Sequence, residues 1–272
     1  LALDDRREVE EPRRWMSELC KMARVIVAST AAFEKRFADA EWAAFEFRRA
    51  QHIHDAVMEM QTCVLRIARP LGCEGSSVFY ERVPDAYTLR EVVCSYRPAA
   101  SAFRETGQAI GELHQALNPG KDLPADVCEI HGDLWTSNVL FSRSAEGVYL
   151  VDFAPPTAGP RSNAESYCMD RVYRDLGRMV TDIRVKYPLV KAYLIARPAN
   201  KSLVKELIGG YEAQIGASIA EEALADYTLQ SLLEVQAVMR GKGVIAGAVW
   251  KLVMLPFIGH YRRAASRGEL GA

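Results

Sequence analysis

Glu129-Ile130-His131-Gly132-Asp133-Leu134-Trp135-Thr136-Ser137-Asn138-Val139-Leu140-Phe141, followed by Gly147-Val148-Tyr149-Leu150-Val151-Asp152-Phe153, is the stretch on which the reading of this chain turns. It reads as a tight loop carrying Asp133 and Asn138, a short strand from Val139, a polar turn over Ser142 to Glu146, and a second strand ending at Asp152. Two strands joined by a turn bring their far ends together. Asn138, at the start of one, and Asp152, at the end of the other, are therefore expected to be neighbours, with Asp133 one loop away. Asp and Asn often hydrogen-bond a surface turn, which accounts for Asp133 or Asn138 alone. It leaves Asp152 unexplained, because an unpaired carboxylate at the end of a paired apolar strand is costly to bury.

That set of groups suits one chemistry. Moving the terminal phosphoryl group of a nucleotide needs a carboxylate facing the acceptor hydroxyl, and an amide and a second carboxylate offering oxygens to magnesium on the phosphates. The spacing H-G-D-x-x-x-x-N from His131 to Asn138, then Val151-Asp152-Phe153, resembles the catalytic and metal loops of the protein-kinase-like superfamily. Within it, the His-Gly-Asp form is similar to the small-molecule branch, the aminoglycoside and choline phosphotransferases, and Trp135 after His-Gly-Asp-Leu resembles the fructosamine kinases.

The resemblance implies an α+β, bilobal, protein-kinase-like fold. A small, reduced β-rich N-lobe would span 1–83 and a larger, mostly helical C-lobe 84–272. It implies an ATP- or GTP-dependent phosphotransferase acting on a hydroxyl of a small sugar-like, aminoglycoside-like or amino-alcohol acceptor. Asp133 would orient or deprotonate that hydroxyl, Asn138 and Asp152 would bind Mg2+, and His131 would prop the loop.

Composition sets the bounds. A chain of 272 residues can bury a substantial core, and a formal net charge of -1 gives no basic excess for nucleic acid. The cysteines at 20, 63, 73, 94, 128 and 168 form no C-x-x-C pair, and read as reduced thiols of a cytoplasmic protein. Residues 1–18 are dense in charge and unlike a signal peptide. The most lipid-like run, 243–259, is broken by Lys251 and Pro256 and falls short of the roughly 20 apolar residues a membrane span requires. A buried helix over 242–260 is the expectation, and no membrane partner is expected.

Along the chain, 24–28 and 33–37 read as a hairpin, with Lys35 on the face opposite Phe33 and Phe37. Asp39 can cap a helix over 40–60 whose stripe of Trp42, Phe45, Ala50, Ile53, Val57 and Met60 also carries Glu46 and Arg49. A carboxylate on a packed face wants a cation. By resemblance, Lys35 contacts the nucleotide phosphates and Glu46 holds Lys35. The competing reading is that Glu46 pairs Arg49 or Arg48 on the helix rim and Lys35 is an ordinary exposed strand lysine.

Residues 77–83 read as a strand that runs into a turn and a helix capped by Thr88 with Glu91. By resemblance this is the hinge between lobes, where the backbone of Glu81, Arg82 and Val83 would face adenine; a plain strand-to-helix connection reads the same. Helices are expected over 102–117, with His114 a core residue on it, and over 167–187, 200–215 and 218–240. Between Asp152 and that second helix, 154–165 is too rich in Pro and Gly for regular structure and reads as a loop covering an acceptor site. Asp175, with Leu176, matches the aspartate that the family uses to hydrogen-bond the catalytic loop; pairing with Arg171 or Arg178 explains it as cheaply.

Neither G-x-G-x-x-G before Lys35 nor G-x-x-x-x-G-K occurs, which excludes a P-loop enzyme. Two other classes stay open: a pseudokinase serving as a nucleotide-binding scaffold, and a protein kinase, against which the missing Ala-Pro-Glu counts.

Overall fold

The computed structural model describes residues 32–94, 99–153, 168–186, 197–241, 255 and 257–266. The expected strand over 24–28, the loop over 154–165 and most of the apolar run over 243–259 lie outside them. Strand β1 (Ala32–Arg36) pairs antiparallel with β4 (Ser77–Glu81), setting Phe33 opposite Tyr80 and Lys35 opposite Val78. Strand β3 (Pro70–Glu74) flanks β4 on its other side. Pro70 can open β3 because the first residue of a strand need donate no ladder bond.

The expected opposition of Lys35 to Phe33 and Phe37 is wrong. Residues two apart in a strand share a face, and Phe33 and Lys35 line one cavity while the Lys35 ammonium lies 4.6 Å from the Phe37 ring centroid.

Helix α1 (Ala40–Met60) begins where its cap predicts: the Asp39 side chain accepts from the Trp42 N–H at 3.0 Å. It buries Trp42, Ala43, Ala50, Ile53 and Val57, with Glu46 and Arg49 on the same face. A second sheet runs in the order β2 (Leu65–Ile67), β8 (Val148–Leu150), β7 (Val139–Ser142), β5 (Ala86–Thr88). Pairing of Val139 with Leu150, continued by the Val151 N–H donating to the Asn138 carbonyl at 3.1 Å, holds Asn138 and Asp152 side by side.

Helix α2 (Leu89–Val93) opens on the expected capping box between Thr88 and Glu91. Helix α3 (Ala100–Leu117) sends the buried Glu112 to the N–H groups of Cys63, Val64 and Leu65 at 2.9, 3.0 and 2.6 Å, fixing the entry to β2. Strand β6 (Cys128–Glu129) pairs with β9 (Met169–Asp170), so the helix expected from 167 starts later, as α4 (Tyr173–Thr181). The backbone of Met169 and Asp170 is spent on that ladder. A π-helical turn, Asp182–Lys186, follows α4.

Helices α5 (Arg197–Ile215) and α6 (Glu221–Gly241), and a helical segment over 257–266, complete the described chain. Helices α3 and α5 meet backbone to backbone: a Cβ at Gly107 would fall 2.0 Å from the Leu207 carbonyl oxygen, and one at Gly210 would fall 2.1 Å from that of Arg104. Phe103, Ile110 and Leu113 of α3, Leu176 and Met179 of α4, and Leu207 and Tyr211 of α5 are fully buried and form the core behind the loop that carries Asp133. The fold is α+β, with a small sheet-rich N-terminal part and a helical C-terminal part. Among the described residues no helix is long and apolar enough to cross a membrane.

Candidate active site

A cavity of about 640 Å³ lies between the two sheets. Phe33, Lys35, Tyr80 and Glu81 line it from the first sheet, Asn138, Asp152 and Phe153 from just beyond the paired ends of β7 and β8, and Arg82 and Val83 from the connection between the sheets. Apolar walls from Ala68, Leu140 and Leu150 complete a slot suited to a flat aromatic base. The resemblance-derived hinge thus borders the same space as the expected phosphate and metal residues.

At the inner end, the Lys35 ammonium bridges two carboxylates, 3.2 Å from Glu46 Oε1 and 2.5 Å from Asp152 Oδ1. Glu46 is fully buried and also accepts from the Tyr80 hydroxyl at 2.8 Å and from the Phe153 N–H at 3.3 Å. All three donors meet Oε1; Oε2 is buried without a hydrogen-bond partner. Burial raises the Glu46 pKa and Asp152 adds to the rise, outweighing the pull of Lys35 and of the Tyr80 hydrogen bond. Arg49, the competing partner on the helix rim, instead donates to Glu129 Oε1 at 2.8 Å and to the Ile130 carbonyl, tying α1 to the approach of the loop that carries Asp133.

The loop that carries Asp133 is braced from beneath. Gly132 adopts φ +85°, which a side chain would disfavour. Its N–H and that of His131 donate to the Asp175 carboxylate at 3.0 and 2.7 Å, and His114 Nε2 lies 3.1 Å from the same group. Asp175 is completely buried. Burial pushes its pKa up, but its contacts with His114 and His131, led by the His114 hydrogen bond, overcome that, and the net shift is downward. Helical spacing offered Arg171 or Arg178 as partners; Asp175 takes neither, because it points into the core beneath the loop. His114 is the satisfied core residue expected, bonded on its other nitrogen to the Tyr211 hydroxyl at 2.9 Å.

His131 has both ring nitrogens committed. Nε2 donates to the Val151 carbonyl at 3.1 Å, which leaves Nδ1 to accept the Asp133 N–H at 3.3 Å. Burial pushes its pKa down to about 4, so at neutral pH it is an uncharged strut between the loop and the strand ending at Asp152. Asn138 is held as firmly: its Nδ2 donates to the Asp133 carbonyl at 2.8 Å, which fixes Oδ1 as the amide's outward acceptor. Asp152 sits at φ 67°, a left-handed conformation that Asp tolerates better than most residues.

Asp133 stands one loop beyond the cavity wall, joined to it through Asn138. Its Oδ1 receives the Trp135 indole N–H at 2.7 Å and the Arg178 guanidinium at 3.0 Å. Sequence reasoning missed Arg178 in this role, along with Tyr80. Arg178 was placed beside Asp175 on one helix face, and only the packing of α4 against the loop redirects it.

Among the described residues no three of His, Cys, Asp and Glu cluster as a metal site. Asn138 and Asp152 offer one amide and one carboxylate oxygen on the cavity wall, an all-oxygen pair of the kind Mg2+ takes when phosphates and water complete its shell.

No protein-family model and no curated protein matches the sequence. Solved structures do match the fold. A glucosamine kinase in complex with glucosamine, ADP and inorganic phosphate superposes with a TM-score of 0.62 at 11% identity, over 90% of this chain and 85% of that one. A second crystal form of a glucosamine kinase gives 0.59 at 12% identity, over 90% and 84%. A choline/ethanolamine kinase family protein from Mesorhizobium loti gives 0.51 at 13% identity, over 87% of each chain. At such identities the likeness is one of fold.

Proposed function

We propose that this chain transfers the terminal phosphoryl group of ATP or GTP to a hydroxyl of a small molecule. The observation that carries the reading is the arrangement of Lys35, Asn138 and Asp152 on one cavity, with Asp133 joined to that wall through Asn138. The solved neighbours are kinases of small molecules, one of them holding ADP, which supports the same reaction class.

In this reading the base lies in the apolar slot and bonds the backbone of Glu81 to Val83. Lys35, held by Glu46, meets the phosphates. Magnesium, when bound by Asn138 and Asp152, neutralises charge on the phosphates. Asp133 orients the acceptor hydroxyl and takes its proton as the new bond to phosphorus forms; the bond to the bridging oxygen breaks and its electron pair leaves with the diphosphate. His131 and Asp175 hold the loop and move no proton. The proposed division into lobes falls at 83/84, in the connection bordering the cavity, and the proposed setting is cytoplasmic, where reduced thiols persist.

The test is a thermal-shift titration with ATP and GTP, with and without magnesium, followed by a screen of amino sugars, neutral sugars and amino alcohols for stimulated nucleotide turnover. Magnesium-dependent stabilisation plus acceptor-stimulated turnover, both abolished by Asp152→Ala, is the expected result. Nucleotide binding indifferent to magnesium, with no turnover, would point instead to a scaffold.

A further inference from the structure

Arg178 is an arginine only 2% exposed in the helix behind the catalytic loop, and the reaction scheme above makes no use of it. Its Nη1 donates to the Gly132 carbonyl and to Asp133 Oδ1 at 3.0 Å, while Nη2 donates to Glu234 Oε2 at 3.1 Å. The guanidinium carbon stands 5.3 Å from the centroid of the Trp135 ring, whose own N–H meets the same Oδ1 at 2.7 Å. Glu234 is anchored in turn, its Oε1 lying 3.7 Å from Arg174, which bonds Asp170 at 3.1 Å.

Two donors thus reach one oxygen of Asp133 from different elements, Trp135 from the loop itself and Arg178 from α4. A single hydrogen bond lets a carboxylate swing about its Cβ–Cγ bond; two convergent, directional donors define its plane. Apart from Asp133, Arg178 is held by the Gly132 carbonyl and Glu234 and lies against the Trp135 ring, so its planar guanidinium resists following a swinging partner. Simple charge compensation would not need this. The Asp133 side chain is 16% exposed and in reach of water, and one cation would suffice.

Resting on the phosphotransferase reading, we propose that Trp135 and Arg178 are positioning residues that fix the plane of the Asp133 carboxylate for the acceptor hydroxyl. Glu234, on α6, is the outer support of that bracket. An acceptor that seats against α6 and disturbs Glu234 would loosen the Asp133 plane and transfer slowly even when it binds.

The experiment compares wild type, Trp135→Phe, Arg178→Lys and Arg178→Met with whichever acceptor stimulates turnover, measuring kcat, acceptor KM, nucleotide Kd and the urea midpoint. Trp135→Phe keeps a ring against Arg178 and removes one N–H. It is expected to lower kcat about 10- to 100-fold, the scale of a misplaced catalytic group, with KM and Kd within about threefold of wild type. Arg178→Lys, which keeps a cation beside Asp133, should recover part of the kcat lost in Arg178→Met. Loss confined to KM, or kcat unchanged in Trp135→Phe, overturns the proposal; so does a rise of kcat in Arg178→Met, which would make Arg178 a restraint. If Arg178→Met does not fold, Trp135→Phe decides. A wild-type chain that transfers nothing to any acceptor sinks both readings, whereas transfer by wild type with indifferent variants sinks this one alone.

Discussion

Replacing Asp175 by Asn changes one atom beneath the loop that carries Asp133 and should cost more stability than its size suggests. The carboxylate accepts from the N–H groups of His131 and Gly132 and lies against His114 Nε2, all without exposure to water. An amide keeps one acceptor oxygen and turns an NH2 toward the other donors. His114 can change tautomer and bond the Tyr211 hydroxyl as donor. A backbone N–H cannot adapt, so whichever way the amide faces, one of the two is left buried and unpaired, at about 1–3 kcal/mol. Asp175→Ala orphans both, for roughly twice that. Because the bonds already outweigh burial and keep the Asp175 pKa below its ordinary value, relief of the desolvated charge should not cancel the loss. Urea denaturation at pH 7 should show a lower midpoint with unchanged slope for Asn, and a larger drop for Ala. A midpoint for Asp175→Asn matching wild type, or equal losses for Asn and Ala, would refute the reasoning. Phosphoryl transfer should fall in both, because the loop that carries Asp133 is the segment released.

Three further outcomes are expected. Asp152→Asn should abolish magnesium-dependent nucleotide stabilisation while leaving the fold within about 1 kcal/mol of wild type, since the group is part-exposed at the cavity and pairs one cation; thermal shift with and without magnesium checks it. Lys35→Met should destabilise by about 1–3 kcal/mol at pH 7 by stripping the fully buried Glu46 of its cation. Burial already raises the Glu46 pKa, so protonation relieves the isolated charge and the gap to wild type should narrow as pH falls. His131, pushed down to about 4 in the fold against 6.5 ordinarily, is neutral where the unfolded chain takes a proton; stability should fall between about pH 6.5 and 4, by up to about 3 kcal/mol from this group. Urea midpoints across that range should slope less in His131→Gln.

Much of the site was legible because it is built from short-range rules. The turn between Val139 and Asp152 forces its two ends together, and the pairing of Val139 with Leu150 delivers that result. Asp39 and Thr88 cap the helices expected of them, because capping is decided within four residues. The face of Lys35 was misassigned despite an equally local rule, the period of two along a strand. The helix expected from 167 began late because Met169 and Asp170 pair with a strand 41 residues earlier in the chain, which local pattern does not report.

Sequence alone determined the chemistry on offer: which residues carry oxygen, where the loop tightens at Gly132, and that a carboxylate at position 152 must find a partner. Tertiary structure alone decided which charges pair: Asp152 meets Lys35. Glu46 has Arg49 within helical reach and takes Lys35, while Arg178 has Asp175 within one turn and takes Asp133. The physical reason is that spacing along a helix says only which side chains share a face. Which of them meet depends on the element packed against that face, and burial there makes the charged groups pair with whatever counter-charge that element brings.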